Sequence, residues 1–151
     1  MNNQLLIGWR EWVSLPDLEL PHIKAKIDSG ARTSTLHAFT LKPYSKKGVQ
    51  RVKFSVHPLQ NNSDIVVECD ALVADRRDVT DSGGHREKRY VIETTVQLGN
   101  SQWTIEMTLT NRDSMKFRML LGRTAMCPQF LIDPGKSFVE GKKPHGLKRS
   151  Y

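Results

Sequence analysis

The residues of this sequence with the clearest chemical potential are Asp28-Ser29-Gly30-Ala31, which follow an apolar run that ends at Ile27. A glycine permits the sharp turn that directs a carboxylate into a cleft. A serine hydroxyl can donate a hydrogen bond to a carboxylate and hold its orientation. We therefore predict an active-site loop here, with Asp28 as the catalytic residue and Ser29, Gly30 and Ala31 shaping the loop. The alternative is an ordinary turn after a strand, which Asp-Ser-Gly sequences often form.

A second motif, Leu120-Leu121-Gly122-Arg123, lies far downstream, and we predict a supporting role for it. Its apolar residues predict a strand that packs behind the Asp28 loop and holds it in place. The following residues, Arg123–Cys127, predict one or two helical turns before Pro128. Arg123 is expected to tie this short helix to the active-site loop.

Peptide hydrolysis by carboxylates needs two of them, because one activates water as a base and the other protonates the carbonyl oxygen. Asp81-Ser82-Gly83 repeats the tripeptide, but no apolar strand leads into it and no apolar support follows it. Too little chain separates Asp81 from Asp28 for a complete second lobe. The sequence therefore predicts a homodimer in which Asp28 from each subunit meets at the twofold axis.

The elements that must position these residues are strands, since the dominant hydrophobic period is two. Arg51–His57 and Trp103–Leu109 alternate polar and apolar residues throughout, which predicts one face on a core and one toward water. The fold class is all-β with one short C-terminal helix. Further strands are predicted at Leu5–Val13, Ile23–Ile27, Ile65–Val73, Tyr90–Leu98 and Phe117–Leu121, with a turn at Leu98–Ser101.

The chain has 151 residues, a hydrophobic content of 38% and a net charge of +7, which fit one folded domain. We predict a domain at residues 1–135 and a basic, flexible tail at 136–151, where lysines mix with glycines.

The tail carries most of the net charge and no nucleic-acid-binding motif is present, so nucleic acid is not an expected partner. No apolar run approaches the ~20 residues of a membrane span and no secretory signal is visible, so we expect a cytoplasmic protein.

The cysteines and histidines do not form the patterns of a metal site or of a nucleophile. Cys69 and Cys127 lie in apolar surroundings and are predicted to be small core residues, not a disulfide. The five histidines include no His-x-x-x-His pair, so no metal site and no cofactor is predicted. A zinc site assembled across the fold stays open as an alternative. His37 follows Asp28 closely enough to reach the cleft.

Several motifs in a fixed order resemble those of a known family. They are Ile7-Gly8-Trp9-Arg10-Glu11, Asp28–Ser34, Leu36-His37-Ala38, Thr80–Arg86 and Leu109–Arg112. The Asp28 loop together with Leu120-Leu121-Gly122-Arg123 looks like the retropepsin pattern of dimeric aspartic peptidases. The whole set is similar to the RimB-type peptidase family, which is often labelled ATP-dependent zinc protease and is associated with RimK-type glutamate ligases.

The resemblance implies a retropepsin-like, acid-protease barrel with a flap hairpin over its cleft. The flap would be the hairpin between Ile65–Val79 and Arg89–Leu98. The implied function is an aspartic peptidase that removes or trims the glutamate tails that the ligase adds to a ribosomal protein. The implied partners are a second copy of the chain, an acidic peptide substrate and a RimK-type ligase. The candidate substrate-binding residues are Arg32, His37, Asp81, Gly83, Gly84 and His85.

One departure from the retropepsin pattern concerns Arg32, since retropepsins usually carry an acidic residue there. Arg123 would commonly pair with that acid and must find another partner here. At the cleft, Arg32 would favour substrate carboxylates through charge-assisted hydrogen bonds, and the alternative is a structural salt bridge. Two further functions stay open: a non-catalytic module that binds the ligase or the ribosome, and a zinc-dependent peptidase.

Overall fold

The computed structural model describes residues 5–60, 62–80, 83–111, 116–126 and 130–143, and nearly all of its regular structure is β. A 3-10 turn (Pro16–Leu18) follows β2, and one short helix, α1 (Arg123–Met126), follows β10. The prediction of an all-β chain with one short helix is confirmed. No helix in these ranges is long and apolar enough to span a membrane. The strands are β1 (Leu5–Gly8), β2 (Arg10–Leu15), β3 (Leu20–Asp28), β4 (Ser34–His37), β5 (Thr40–Lys46), β6 (Val49–Val56), β7 (Val67–Thr80), β8 (Arg86–Leu98), β9 (Ser101–Thr110), β10 (Met119–Gly122) and β11 (Phe130–Asp133).

Nine strands form one sheet in the order β2-β3-β10-β4-β9-β8-β7-β6-β5. An added pairing between β2 and β8, at Ser14 and Gln97, closes the first six strands into a barrel. The strands β7, β6 and β5 extend from this barrel as an antiparallel ribbon. The strands β1 and β11 pair in parallel as a separate two-stranded sheet. The architecture agrees with the retropepsin-like barrel that the motifs implied.

The barrel core is formed by alternate residues of the strands, as a period of two requires. In β3, Ile23, Ala25 and Ile27 are buried, whereas Lys24 and Lys26 between them are not. Full burial of one such aliphatic side chain contributes roughly 1.5–3 kcal/mol. The same cluster includes Ile105, Met107 and Leu109 of β9 and Met119 and Leu121 of β10.

The strand predicted at Leu5–Val13 is broken into β1 and β2 at Trp9. The backbone N–H of Trp9 donates to the carbonyl oxygen of Lys136 at 2.8 Å. The two chain segments cross so closely that a Cβ atom on Gly8 would lie 2.3 Å from the same oxygen. A glycine at position 8 therefore allows the later segment to pass.

Three strands, β4, β5 and β11, were not predicted from the sequence. The strand β5 lies at the open edge of the sheet, and its residues are exposed or half-buried on both faces. It therefore lacks the alternation of polarity that identifies a strand, and it tolerates Pro43 because an edge strand needs fewer backbone donors. The strands β4 and β11 have four residues each, too few for a clear periodic pattern.

A buried carboxylate holds the segment after β11 against the barrel. The side chain of Glu11 is fully buried, and its Oε2 accepts hydrogen bonds from the N–H groups of Gly8 (2.6 Å) and Val139 (2.9 Å). Its Oε1 accepts from the N–H groups of Glu140 (3.0 Å) and Gly141 (2.6 Å). One side chain thus satisfies four backbone donors that would otherwise be buried without partners.

These hydrogen bonds bear on the extent of the domain. The N–H of Phe138 donates to the carbonyl of Arg10, and the N–H of Trp12 donates to the carbonyl of Gly141, so residues 136–141 run along β2. A domain boundary at residue 135 falls inside this packed unit. Composition does not reveal it, because the lysines and glycines of the segment are exposed or small while its backbone makes the contacts. Residues 144–151 of the predicted tail lie outside the described residues.

Replacing Glu11 with glutamine should destabilise the fold by about 2–3 kcal/mol, because an NH₂ group would then face two backbone donors and the charge that strengthens the other two bonds would be lost. Urea denaturation followed by circular dichroism measures the change. Glu93→Gln removes the same charge from an exposed position of β8 and should change the free energy of unfolding by less than about 0.5 kcal/mol. Equal effects of the two substitutions would contradict the role given to Glu11.

Candidate active site

The two sequence motifs meet at the ends of two parallel strands. The strand β10 lies between β3 and β4, and its last residue, Gly122, is the register partner of Asp28. The chain leaves β3 at Asp28, passes across the end of β10 and returns as β4. A Cβ atom on Gly122 would lie 2.5 Å from the carbonyl carbon of Thr33, so only glycine fits under this loop. The Gly122 N–H also donates to Ser34 Oγ at 3.0 Å.

Backbone hydrogen bonds orient the carboxylate of Asp28. The N–H of Gly30 donates to Asp28 Oδ1 at 3.1 Å, and the N–H of Ala31 donates to the Asp28 carbonyl at 3.2 Å. The donor to this carboxylate is thus the backbone of Gly30 and not the hydroxyl of Ser29. The side chain of Asp28 is half-buried at the edge of a cleft. It is therefore held in one orientation while one side stays open to a reactant.

The first turn of α1 fastens the same loop. The N–H of Arg123 donates to the carbonyl of Ala31 at 2.7 Å, and the N–H of Thr124 donates to the carbonyl of Arg32 at 2.9 Å. The guanidinium of Arg123 reaches back to the carbonyl of Ser29 at 3.0 Å. Among the described residues, the partner of Arg123 that the sequence left unnamed is therefore a loop carbonyl and not a carboxylate.

A cleft of about 840 Å³ opens beside Asp28. The loop 28–33 and the start of α1 form one wall, and residues 77–80 of β7 form the opposite wall. The floor is one face of the sheet, because register partners on neighbouring strands point to the same side. The floor residues are Leu120 of β10, Thr35 of β4, Glu106, Thr108 and Thr110 of β9, and Arg89 of β8.

The floor carries a buried polar cluster that the sequence analysis missed. The hydroxyls of Thr35 and Thr108 are 3.1 Å apart, and Arg89 Nη1 donates to each at 3.3 Å. Arg89 Nε donates to Glu87 Oε1 at 2.6 Å, and that oxygen also accepts from the hydroxyl of Thr110 at 2.5 Å. A usable signal was present in β9, whose polar positions alternate with core residues. The alternation alone predicts that this face is exposed to water, whereas the structure places it in the cleft.

An ion-pair network links the base of the β7–β8 hairpin to β9. Both terminal nitrogens of Arg77 donate to Glu106, each at 2.8 Å, and Arg77 Nε donates to Asp75 at 2.7 Å. The Glu106 hydrogen bonds are the main reason that the pKa of Arg77 is raised, and Asp75 acts in the same direction. Hydrogen bonding from Arg77 lowers the pKa of Glu106. The pair therefore stays charged and holds this wall of the cleft.

The exposed side chain of Arg32 lines the cleft and makes no hydrogen bond or ion pair with any residue that the structure describes. Its charge acts with Arg77 to lower the pKa of Glu106. Arg32 is thus a cation on the same wall as Asp28, without a fixed partner in these ranges.

The hairpin predicted as a flap is present, with β7 ending at Thr80 and β8 beginning at Arg86. Val79 and Thr80 line the cleft, whereas Gly83, Gly84 and His85 lie beyond it at the exposed tip. The backbone of Gly84 has φ +84°, a conformation that favours glycine. Asp81 and Ser82 lie outside the described residues.

His37 does not lie in the cleft. It is buried in β4, and its Nδ1 is 3.4 Å from Arg118 Nη1.

Cys69 is buried as predicted, and desolvation raises the pKa of its thiol to about 12, so the group is unreactive near neutral pH. Cys127 lies outside the described residues. Within the described ranges, no three His, Cys, Asp or Glu side chains are grouped as a metal site requires.

The chain is similar to known proteins over most of its length. A family model described as retropepsin-like aspartic endopeptidase RimB matches residues 6–143. The solved structure of the Legionella pneumophila protein Lpg0085, whose function is unknown, superposes with a TM-score of 0.74 at 27% identity. That superposition covers 89% of this chain and 97% of the other.

Curated relatives of the chain are longer proteins. Probable alpha-L-glutamate ligases of Shewanella pealeana and Parasynechococcus marenigrum are 49% and 48% identical to it, over 94% and 93% of this chain. The chain spans only 31% and 30% of their respective lengths. The family model, by contrast, matches well over half of this chain, and it includes both the Asp28 loop and the Gly122 support. The chain belongs to the RimB-like family of retropepsin-like aspartic endopeptidases.

Proposed function

We propose that this protein is an aspartic peptidase that cleaves acidic, glutamate-rich peptide tails, with Asp28 from two subunits forming the catalytic pair. The observation that carries the proposal is the position of Asp28, whose carboxylate is oriented by the Gly30 N–H at the mouth of a large cleft. The family to which the chain belongs supports the reaction class.

Two carboxylates a few ångströms apart share one proton, because like charges at that distance do not both stay ionised. The ionised partner takes a proton from water, and the oxygen of that water attacks the peptide carbonyl carbon. The protonated partner donates its proton to the carbonyl oxygen. Collapse of the tetrahedral intermediate breaks the C–N bond, and the amine leaves with a proton returned by the pair.

The second carboxylate is best supplied by a second copy of the chain. Besides Asp28, the described cleft residues include two carboxylates, of which Glu106 is committed to Arg77 and Asp78 lies on the opposite wall. The small β1–β11 sheet also presents exposed apolar side chains, including the register partners Leu6 and Leu131. An exposed apolar sheet of this kind suits an interface between two copies.

The cations of the cleft and the relatives support the proposed substrate class. Arg32 lines the cleft without a partner among the described residues, so a carboxylate of the substrate can take that place. The longer relatives are named as glutamate ligases, and a hydrolase joined to such a ligase would act on glutamate-containing amide bonds. A ligase of that kind is accordingly the proposed partner of this chain.

The same relatives favour a second candidate function, a binding module without catalysis. A region that forms about 30% of a ligase chain can serve to hold the acidic product or the ligase itself. In that case the cleft would bind glutamate-rich peptide and leave it intact. Removal of the Asp28 carboxylate separates the two functions.

We expect Asp28→Asn to lower the rate of cleavage of a glutamate-tailed peptide by at least about 100-fold, because the amide can neither accept nor donate the shared proton. Mass spectrometry of the released fragments measures the rate, with and without EDTA. Asp64→Asn removes the same charge from an exposed loop position outside the cleft and should leave the rate unchanged. Full activity of Asp28→Asn, or complete loss of wild-type activity in EDTA, would contradict an aspartic mechanism.

Mixing wild-type protein with an excess of Asp28→Asn should lower wild-type activity, because mixed dimers carry only one competent carboxylate. Sedimentation velocity on the same samples reports the oligomeric state. An excess of Asp64→Asn serves as the control and should leave activity in place. A strictly monomeric wild-type protein with full activity would exclude the shared site.

Arg32→Ala should weaken cleavage of acidic peptides more than cleavage of matched neutral peptides, by about tenfold in kcat/KM. The comparison uses glutamate peptides and their glutamine counterparts under identical conditions. Equal losses on both peptides would assign Arg32 a structural role.

A further inference from the structure

The cleft floor holds a cation that lies deeper than Arg32. The side chain of Arg89 is only 6% exposed, and yet it lines the cleft. A buried guanidinium is costly unless each of its polar faces finds a partner. The arrangement around Arg89 therefore indicates what the floor of the cleft is built to hold.

The hydrogen bonds of Arg89 use one part of the guanidinium. Nε donates to Glu87 at 2.6 Å, and Nη1 is shared between Thr35 and Thr108 at 3.3 Å each. No residue that the structure describes accepts a hydrogen bond from Nη2. The two threonine contacts are long for charge-assisted bonds, whose usual range is about 2.7–2.9 Å. The outer edge of the guanidinium, Nη1 and Nη2, thus remains available for a stronger acceptor.

The other cleft arginines differ from Arg89 in this respect. Arg77 is engaged by both oxygens of Glu106 and by Asp75. Arg123 is tied to the carbonyl of Ser29. Arg32 is exposed, so water screens its charge. Arg89 alone among these four combines burial with an edge of its guanidinium that has no carboxylate partner in the described residues.

We propose that Arg89 forms a carboxylate-binding subsite in the floor of the cleft. The subsite would take one carboxylate of the substrate, either a glutamate side chain or the C-terminal carboxylate, through Nη1 and Nη2. The planar guanidinium matches a carboxylate in this two-point geometry, and the low exposure of the site strengthens the interaction. Thr35 and Thr108 hold the guanidinium in the plane of the floor. This inference rests on the proposed function, since it names the group of an acidic peptide that the cleft recognises.

The pairing with Glu87 explains how the site tolerates a cation before substrate binds. Glu87 is 42% exposed, so it offsets the charge of Arg89 from the side while remaining partly in water. Its Oε1 is also held by Thr110, which keeps the carboxylate away from the outer edge of the guanidinium. An arriving carboxylate therefore adds a second partner to Arg89 and does not have to displace the first.

The test measures binding apart from hydrolysis. In an Asp28→Asn background, fluorescence anisotropy gives the Kd of a labelled short glutamate peptide, of its glutamine counterpart and of a glutamate peptide with an amidated C-terminus. Arg89→Gln should raise the Kd of the glutamate peptide by about 10- to 100-fold and change that of the glutamine peptide by less than about threefold. Arg89→Lys, which keeps the charge but lacks the planar fork, should give an intermediate loss for the glutamate peptide.

A matched control separates local binding from long-range attraction. Arg76 lies next to Arg77 on β7 but stacks on Tyr90 and does not line the cleft. Arg76→Gln removes one positive charge from the same hairpin and should change every Kd by less than about twofold. Thermal melting of each variant verifies the fold, and Arg89→Lys keeps the buried charge if Arg89→Gln does not fold.

The outcomes separate the subsite from the peptidase. Equal changes of Kd for the glutamate and glutamine peptides, unchanged affinity in both Arg89 variants, or no binding of the glutamate peptide would overturn the subsite. Arg89-dependent binding without hydrolysis by the wild-type protein would support the subsite and overturn the peptidase. Loss of the Arg89 effect with the amidated peptide assigns the bound group to the C-terminus, and its persistence assigns it to a side chain.

Discussion

The site depends on one close approach, in which the loop after β3 passes over the end of β10 at Gly122. A side chain there would collide with the backbone of Thr33 and Ser34. Because Gly122 has no side chain, β10 can lie between β3 and β4. Asp28 therefore lies at the end of β3, which is paired on one side with β2 and on the other with β10. A rigid support of this kind is what a catalytic carboxylate requires, since small displacements cost much of its effect.

The barrel uses its two faces for different purposes. The inner face packs aliphatic residues in alternate positions, and this packing supplies most of the stability. The face that carries Asp28 is polar, and the β7–β8 hairpin and the Asp28 loop enclose it on two sides. Threonine hydroxyls suit such a surface, since they can both donate and accept and therefore satisfy one another as well as Arg89. A polar floor held in this way can meet charged groups of a substrate in a fixed geometry.

In this protein, the position of each charged side chain matters more than the net charge. The net charge of +7 includes arginines with different surroundings, from Arg77 in a bidentate pair to Arg32 with no partner among the described residues. Buried Glu11 shows the same principle with the opposite sign, because it serves four backbone donors and pairs with no cation among the described residues. Each of these roles depends on which groups surround the charge, and composition contains no such information.

Local patterns predicted much of the framework because they act between neighbours in the chain. The alternation in Trp103–Leu109, the turn at Leu98–Ser101 and the hairpin of β7 and β8 all appear in the structure. The Asp28 loop was found because glycine and a strand end occur together in sequence. The edge strand β5 was missed because neither of its faces is buried, so its sequence lacks an alternation of polar and apolar residues.

Long-range pairing accounts for what the sequence did not predict. The polar face of β9 looked like a surface exposed to water, and only the hairpin and the Asp28 loop on either side of it make it the floor of a cleft. The segment after Gly135 looked like a tail, but backbone hydrogen bonds to Trp9, Arg10 and Trp12 and to the carboxylate of Glu11, all more than a hundred residues earlier, hold it in the domain. The amino-acid sequence alone predicted most of the strands, the chemistry of the Asp28 loop and the family of the chain. The tertiary structure decided which polar groups are buried together, because that depends on contacts between residues far apart in the chain.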